Sequence, residues 1–178
     1  MRVLLRDMTE GDIKDYVRWW TRELRWAETD APWESDDLPV PEENARRSWT
    51  AFWEEIRNLP PDAFRQKFEI EADGRHVGWV CSYLDLGYLD NPENIRAVGI
   101  DIPDVSVWGR GVGTEALRLY LDYLRARGHT AAYTQTWSGN TAMLRVADKL
   151  GFSPFFRLPG FRCVGGKRYD AITLKTEL

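Results

Sequence analysis

Three glycines at alternate positions, Gly109, Gly111 and Gly113, stand directly before a run with helical apolar spacing, in Val105-Ser-Val-Trp-Gly-Arg-Gly-Val-Gly-Thr-Glu-Ala-Leu-Arg-Leu-Tyr120. A glycine-rich turn that opens a helix leaves several backbone N–H groups free and pointing one way. The helix dipole adds partial positive charge at the same place, so the chemistry expected here is phosphate binding. A nucleotide P-loop needs G-x-x-x-x-G-K-[ST], and no lysine follows the last glycine. The window Gly111-x-Gly113-x-x-Ala116 formally fits a dinucleotide fingerprint. That reading asks for an acid at the end of the next strand to hold the ribose, where this chain has Thr136-Trp137-Ser138. A turn serving chain reversal alone is the bland alternative; the density of glycines and the immediate helix start favour a ligand.

Periodicity supplies the elements that must position this turn. Arg2 to Asp7 reads as a strand. Thr9, with Asp12 three residues on, resembles an N-cap signature before a helix carrying Ile13, Tyr16, Val17, Trp20 and Leu24 on one face. Residues 27–41 hold Pro32, Pro39 and Pro41 among acids and read as a loop. Ala45, Trp49, Phe52 and Ile56 form the face of a second helix. Strands follow over Phe64–Ala72 and Val77–Leu86, joined at Asp73-Gly74, a strong hairpin signal. Another strand, Ile95 to Ile102, leads into the glycine turn. The third helix ends at Gly128. Ala131–Trp137 is a strand, Asn140–Leu150 a fourth helix, and two strands near Phe152–Leu158 and Arg168–Lys175 close the chain. The order β-α-α-β-β-β-α-β-α-β-β predicts an α/β fold in a single domain, residues 1–178. It is a mixed, mostly antiparallel sheet of about seven strands flanked by four helices.

Bulk properties exclude several classes. At 178 residues and 43% hydrophobic content the chain is expected to fold as one soluble globular domain. A net charge of −4 argues against a general nucleic-acid binder. No run of about 18 apolar residues exists, so no membrane span is expected. Two cysteines, Cys81 and Cys163, suggest no disulfide framework and fit a reducing cytoplasm, and His76 and His129 are too few and scattered to suggest a metal site.

Two separated blocks resemble the GNAT N-acetyltransferase superfamily. The family's acetyl-CoA pyrophosphate loop, [Q/R]-x-x-G-x-[G/A], falls on Trp108-Gly109-Arg110-Gly111-Val112-Gly113. Its second block falls on Asn140-Thr-Ala-Met-Leu-Arg-Val-Ala-Asp-Lys-Leu-Gly-Phe152. Trp108 through Leu117 and Tyr169 through Leu174 look most like the ribosomal-protein N-acetyltransferase-like branch. The resemblance implies acetyl-CoA as co-substrate, no metal, and direct attack of an amine on the thioester in a ternary complex. Cofactor contacts are then expected from Ile100, Ile102, Trp108, Gly109, Arg110, Gly111, Val112, Gly113, Thr114 and Asn140. For Arg110 a contact to a CoA phosphate and a solvated surface position are equally open. The sequence departs from the family at Trp108, usually Gln or Arg, and at Ala147, where many members carry the tyrosine that protonates the leaving thiolate.

Magnitudes rank the remaining needs. An alkyl amine with pKa ~10.4 is free base in roughly one molecule in 2,500 at neutral pH, so deprotonation is worth up to about 4.6 kcal/mol. Protonating a thiolate of pKa ~8.5 is worth only about 2 kcal/mol. A general base is therefore harder to dispense with than the missing tyrosine. Asp101, on the strand entering the turn, is the expected base, with Glu69, Glu71 and Asp85 in reserve; a structural carboxylate is its alternative reading. Asn140 is expected to bond CoA or to cap the fourth helix, and Ser138 is a candidate thiolate acid. Acids and aromatics at Trp26, Glu28, Asp30, Trp33 and Glu34 suit a cationic amine acceptor. The partners expected are acetyl-CoA and that amine, without nucleic acid or membrane, with the protein a monomer or homodimer. A catalytically idle CoA-binding or ligand-sensing module on the same fold is the alternative that Ala147 keeps open.

Overall fold

The computed structural model describes residues 1–33 and 37–178. Among them lie seven strands, numbered here β1 (Val3–Arg6), β2 (Lys67–Ala72), β3 (Arg75–Tyr83), β4 (Arg96–Asp101), β5 (Ala131–Trp137), β6 (Ser153–Val164) and β7 (Lys167–Glu177). The four α-helices are α1 (Ile13–Thr21), α2 (Glu42–Ile56), α3 (Val112–Ala126) and α4 (Thr141–Lys149). Short 3-10 turns at Glu10–Asp12, Leu24–Glu28 and Val105–Val107 join them. The strands form one sheet in the order β1-β2-β3-β4-β5-β7-β6, and β4–β5 is its parallel pair.

Alternation along the strands divides the core in two. Ile70, Val80 and Val98 on one face pack against Val112, Ala116, Leu117, Tyr120 and Leu124 of α3. On the other face Trp79 and Cys81 meet Tyr16, Val17 and Trp19 of α1 and Ala45, Trp49 and Phe52 of α2. Most of the tryptophans are spent here: Trp19, Trp20, Trp26, Trp49 and Trp79 form one aromatic cluster with Tyr16. Burying such rings supplies about 25 cal/mol per Å² of apolar surface, so this cluster anchors α1 and α2 to the sheet.

Two local expectations differ from the structure. A 3-10 turn precedes α1, and the Asp12 carboxylate accepts both the Thr9 N–H (2.7 Å) and the Thr9 hydroxyl (2.8 Å). The final hairpin is longer than its sequence suggests, because Pro154, Pro159 and Gly160 read as punctuation. They lie on β6, an edge strand, where a missing N–H costs the ladder little, and register shifts accommodate them.

Candidate functional site

β4 and β5 are in register at Arg96 with Ala132 and at Ala97 with Tyr133. One step further, the Thr134 hydroxyl donates to the Val98 carbonyl at 2.9 Å. Beyond that link the strands part, and a cleft of about 410 Å³ opens between them. Gly99 to Ile102 form one wall and Thr134 to Thr136 the other. The glycine turn and first turn of α3 close one end, α4 contributes Met143, Arg145, Val146 and Lys149, and Trp26, Thr29 and Asp30 reach in from the loop after α1.

The turn has the geometry that glycine permits. Gly109 (φ +72°) and Gly111 (φ +82°) occupy the left-handed region. Gly111 caps α3 without a side chain. The helical ladder begins with Glu115 N–H to the Gly111 carbonyl at 3.0 Å, so the N–H groups of Val112, Gly113 and Thr114 precede it. Of the residues expected at a phosphate-bearing ligand, Ile100, Ile102, Trp108, Gly109, Gly111, Val112, Gly113, Thr114 and Asn140 line the cleft. Arg110 does not; it is exposed. The cations on the cleft are Arg145 and Lys149, four residues apart on α4, which sequence reading passed over. Their shared helical face was the available signal. Trp108 holds its place by donating its indole N–H to the Ile102 carbonyl at 2.7 Å.

Asp101 ends β4, half-buried and lining the cleft. Burial raises its carboxyl well above the ordinary carboxylate range, and the neighbouring Asp30 carboxylate raises it further. The Lys67 charge and the neighbouring Trp79 side chain oppose this. The reserve acids are elsewhere. Glu69 is buried against Tyr16 and His76, Glu71 pairs with Arg6 at 3.1 Å, and Asp85 accepts the Gly87 N–H at 2.8 Å.

The Thr29 carbonyl fastens the loop after α1 to the cleft. It accepts the Trp137 indole N–H at 3.1 Å and the Asn140 amide at 2.8 Å. Asn140 also accepts the Met143 N–H at 3.0 Å, so it caps α4 and ties the loop at once. Ser138, the candidate thiolate acid, accepts the Asp170 N–H on its hydroxyl at 3.0 Å and is not among the residues that line the cleft. Ala147 is fully buried in the core. Among the described residues three buried side-chain polar atoms lack a partner, and one, Thr136 Oγ1, belongs to a residue of the cleft wall. Of the proposed acceptor residues, Trp26 and Asp30 line the cleft, whereas Glu28 is exposed outside it. Trp33 stacks edge-on against Trp137 at 6.2 Å with Arg162 over its ring at 4.0 Å, and Glu34 lies outside the described residues.

A second polar assembly lies under α1. The Lys67 ammonium sits 4.2–5.0 Å from the ring centres of Tyr16, Trp49, Phe52 and Trp79, and 3.7 Å from Glu69. Glu69 accepts the Tyr16 hydroxyl at 2.5 Å and faces His76 Nε2 at 2.9 Å. His76 Nδ1 in turn lies 3.2 Å from Asp15 and 3.3 Å from Asp12. The facing ligand atoms of Asp12, Asp15 and His76 lie within 4.8 Å of one another, yet Arg6 and Arg18 already neutralise the two carboxylates. Burial favours the protonated form of Asp12, but hydrogen bonds from Arg6 and Thr9 hold it at about 2. No helix among the described residues is long and apolar enough to cross a membrane.

The acetyltransferase (GNAT) domain profile matches residues 2–153. Solved structures share the fold across nearly the whole chain. An alpha-N-acetyltransferase of a ribosomal protein, in complex with coenzyme A, superposes with TM-score 0.73 at 15% identity, covering 99% of this chain and 94% of its own. An N-acetyltransferase from Staphylococcus aureus Mu50 gives 0.71 at 14%, with 99% of each chain covered. A ribosomal-protein-alanine N-acetyltransferase from Brucella melitensis gives 0.69 at 18%, covering 98% of this chain and 99% of its own. No curated protein matches the sequence.

Proposed function

Because this chain belongs to the GNAT acetyltransferase family, we propose that it transfers the acetyl group of acetyl-CoA to a primary amine of a small cationic molecule or a protein N-terminus, by direct attack within a ternary complex. The co-substrate supplies an activated thioester carbonyl. The residues of the cleft suit it. The N–H groups of Val112 to Thr114 and the cations of Arg145 and Lys149 offer a place for phosphate.

The observation that carries this reading is Asp101. A carboxyl on the wall of the splayed cleft is raised by burial and by Asp30 above the ordinary aspartate range, and in its ionised form it is a stronger base. Two carboxylates facing one volume attract an ammonium group, and Asp101 then takes the proton that the attacking amine must lose. Trp26 and Asp30 give the amine an aromatic and acidic wall. Asn140 holds that wall against α4. With Ala147 buried, no phenol stands at that position, and a water in the open cleft can protonate the departing sulfur.

CoA release measured over a panel of primary amines tests the proposal. Turnover that depends on the amine and falls in Asp101→Asn supports it. Tight CoA binding with no turnover on any amine would favour the idle or sensing module instead.

A further inference from the structure

A second cavity, of about 1060 Å³, opens where β2 and β4 begin and β3 ends, at the opposite end of β4 from the glycine turn. Among the described residues none lines both it and the cleft. Phe52, Trp53 and Ile56 of α2, with Leu59 and Phe64 from the segment after it, give it apolar walls. Its charges are sorted by burial. Asp7, Glu10 and Glu55 are exposed, and Asp7 is engaged by Arg65 at 2.9 Å. Lys67 is drawn in, with its nearest carboxylate oxygen 3.7 Å away, and Arg96 is half-buried with no ion pair among the described residues. The Arg96 guanidinium lies over the Phe64 ring at 4.2 Å, and its Nη1 is 3.4 Å from the Ser82 hydroxyl oxygen, which already accepts the Tyr120 hydroxyl at 2.8 Å. Its buried Nε has no acceptor. An aromatic face offsets part of the lost hydration but leaves the in-plane N–H donors of a guanidinium unmet. His129 packs on the same Phe64 ring at 5.8 Å, and burial followed by the Arg96 charge lowers its pKa below 6.5.

We infer that this cavity is a second ligand site, for a small organic carboxylate with an apolar or aromatic body, whose carboxylate is received by the terminal N–H groups of Arg96. The planar guanidinium fork matches a carboxylate, and a charge-assisted bond is the stronger for being partly shielded from water. The fork is set in place before any ligand arrives, because β4 lies between β3 and β5 and Phe64 supports the guanidinium from its face. Nε is out of a ligand's reach, so the contact falls to the terminal nitrogens. The apolar walls select the rest of the molecule: an inorganic anion leaves them uncovered, whereas an aromatic or aliphatic body covers them. Glu10 and Glu55, on the exposed side, disfavour a multiply charged anion such as a phosphate ester. The site lies apart from Asp101 and the glycine turn, so it stands independently of the reaction assigned to the cleft.

Binding of 3-phenylpropionate to the full chain tests the inference, followed by calorimetry and by the His129 ring signal in NMR, assigned by its loss in His129→Gln. Saturable binding is expected, with the His129 titration moving upward as the carboxylate offsets the Arg96 charge. Two controls divide the ligand: 3-phenylpropionamide has the body without the charge, and inorganic phosphate has charge without the body. Each should bind about tenfold more weakly or worse. Arg96→Gln should weaken 3-phenylpropionate by about tenfold or more without lowering Tm, since no ion pair is lost. Arg96→Lys, which keeps the charge but not the fork, should fall between the two. Unchanged affinity in Arg96→Gln overturns the proposal, and so does an amide or a phosphate that binds as well as the carboxylate. Saturating CoA should leave the binding as it is; competition by CoA would put the carboxylate in the cleft and overturn the assignment. If Arg96→Gln does not fold, Leu59→Glu sets a like charge on the cavity wall at an exposed position, and unchanged affinity there overturns the proposal by itself.

Discussion

Gly78 lies directly beneath the backbone of Asp101: a Cβ added there would stand 2.1 Å from the Asp101 carbonyl oxygen and 2.9 Å from the Ile102 Cα. The end of β4 therefore rests on bare backbone of β3, and the height of Asp101 in the cleft depends on the absence of one methyl group. Gly78→Ala is expected to cost about 1–3 kcal/mol of stability, since backbone has to move to admit it. It should also lower kcat/KM out of proportion to any loss of acetyl-CoA affinity. Chemical denaturation and steady-state kinetics on the same preparation check both.

Asp101→Asn should reduce kcat/KM by roughly 10²- to 10⁴-fold and abolish its rise with pH. The same change should stabilise the fold. Burial and Asp30 raise the native carboxyl, so the native state favours the protonated form. Its stabilising contribution is complete below the unfolded aspartate value and lost as pH rises through the raised native value. Asparagine stays neutral, so the variant's advantage in Tm should grow with pH. Melting curves from acid to mildly alkaline pH would show the two lines diverging.

His76 follows the same pH direction, but its protonated form is a partnered cation that stabilises the parent protein. Burial alone would lower its pKa, but hydrogen bonds to Asp15 and Glu69 and the nearby Asp12 charge outweigh that and raise it above 6.5. The protonated ring is favoured by the fold, with full effect below 6.5 and progressive loss as pH rises through the raised value. His76→Gln is expected to destabilise by about 1–3 kcal/mol in mild acid and by less in alkali. Unfolding free energy measured against pH should show that convergence.

Thr136→Val removes a buried hydroxyl that has no partner in the protein. Folding stability should be unchanged or slightly higher, since an unsatisfied polar atom is replaced by a methyl group. The rate should stay within about twofold of the parent, since an oxygen with no accessible surface touches no ligand. Chemical denaturation and single-turnover kinetics with saturating acetyl-CoA check both.

Arg145 and Lys149 face the cleft one helical turn apart. Replacing both by alanine is expected to weaken CoA binding about tenfold or more at low salt, and by less at high salt because screening already attenuates the parent contacts. Arg110→Ala, at an exposed position off the cleft, should change little. Calorimetric titration with CoA at two ionic strengths tests the contrast.

The sequence by itself determined what is local. Positive φ at Gly109 and Gly111 is a property of residues without a Cβ, and helical and strand periods repeat within a few positions. The glycine turn, the helix after it and the order of all eleven main elements were therefore legible. The 140–152 block identified the family for the same reason, since its residues are contiguous. The edge position of β6 was not legible: Pro154 and Pro159 signal interruption in sequence, and only a neighbourless strand edge makes them harmless.

The tertiary structure alone decided which groups share the cleft. Thr136 has an unpartnered hydroxyl because β5 separates from β4 just past the Thr134–Val98 link, and Ser138 is occupied because β7 arrives beside it. Asp101 meets Asp30 from more than seventy positions earlier, and Lys67 and Trp79 through sheet register. Such neighbours are set by strand pairing and by the aromatic packing that presses α1 and α2 onto the sheet. Their charges act over a few ångströms of space and not along the chain, so no spacing of residue types could have announced them.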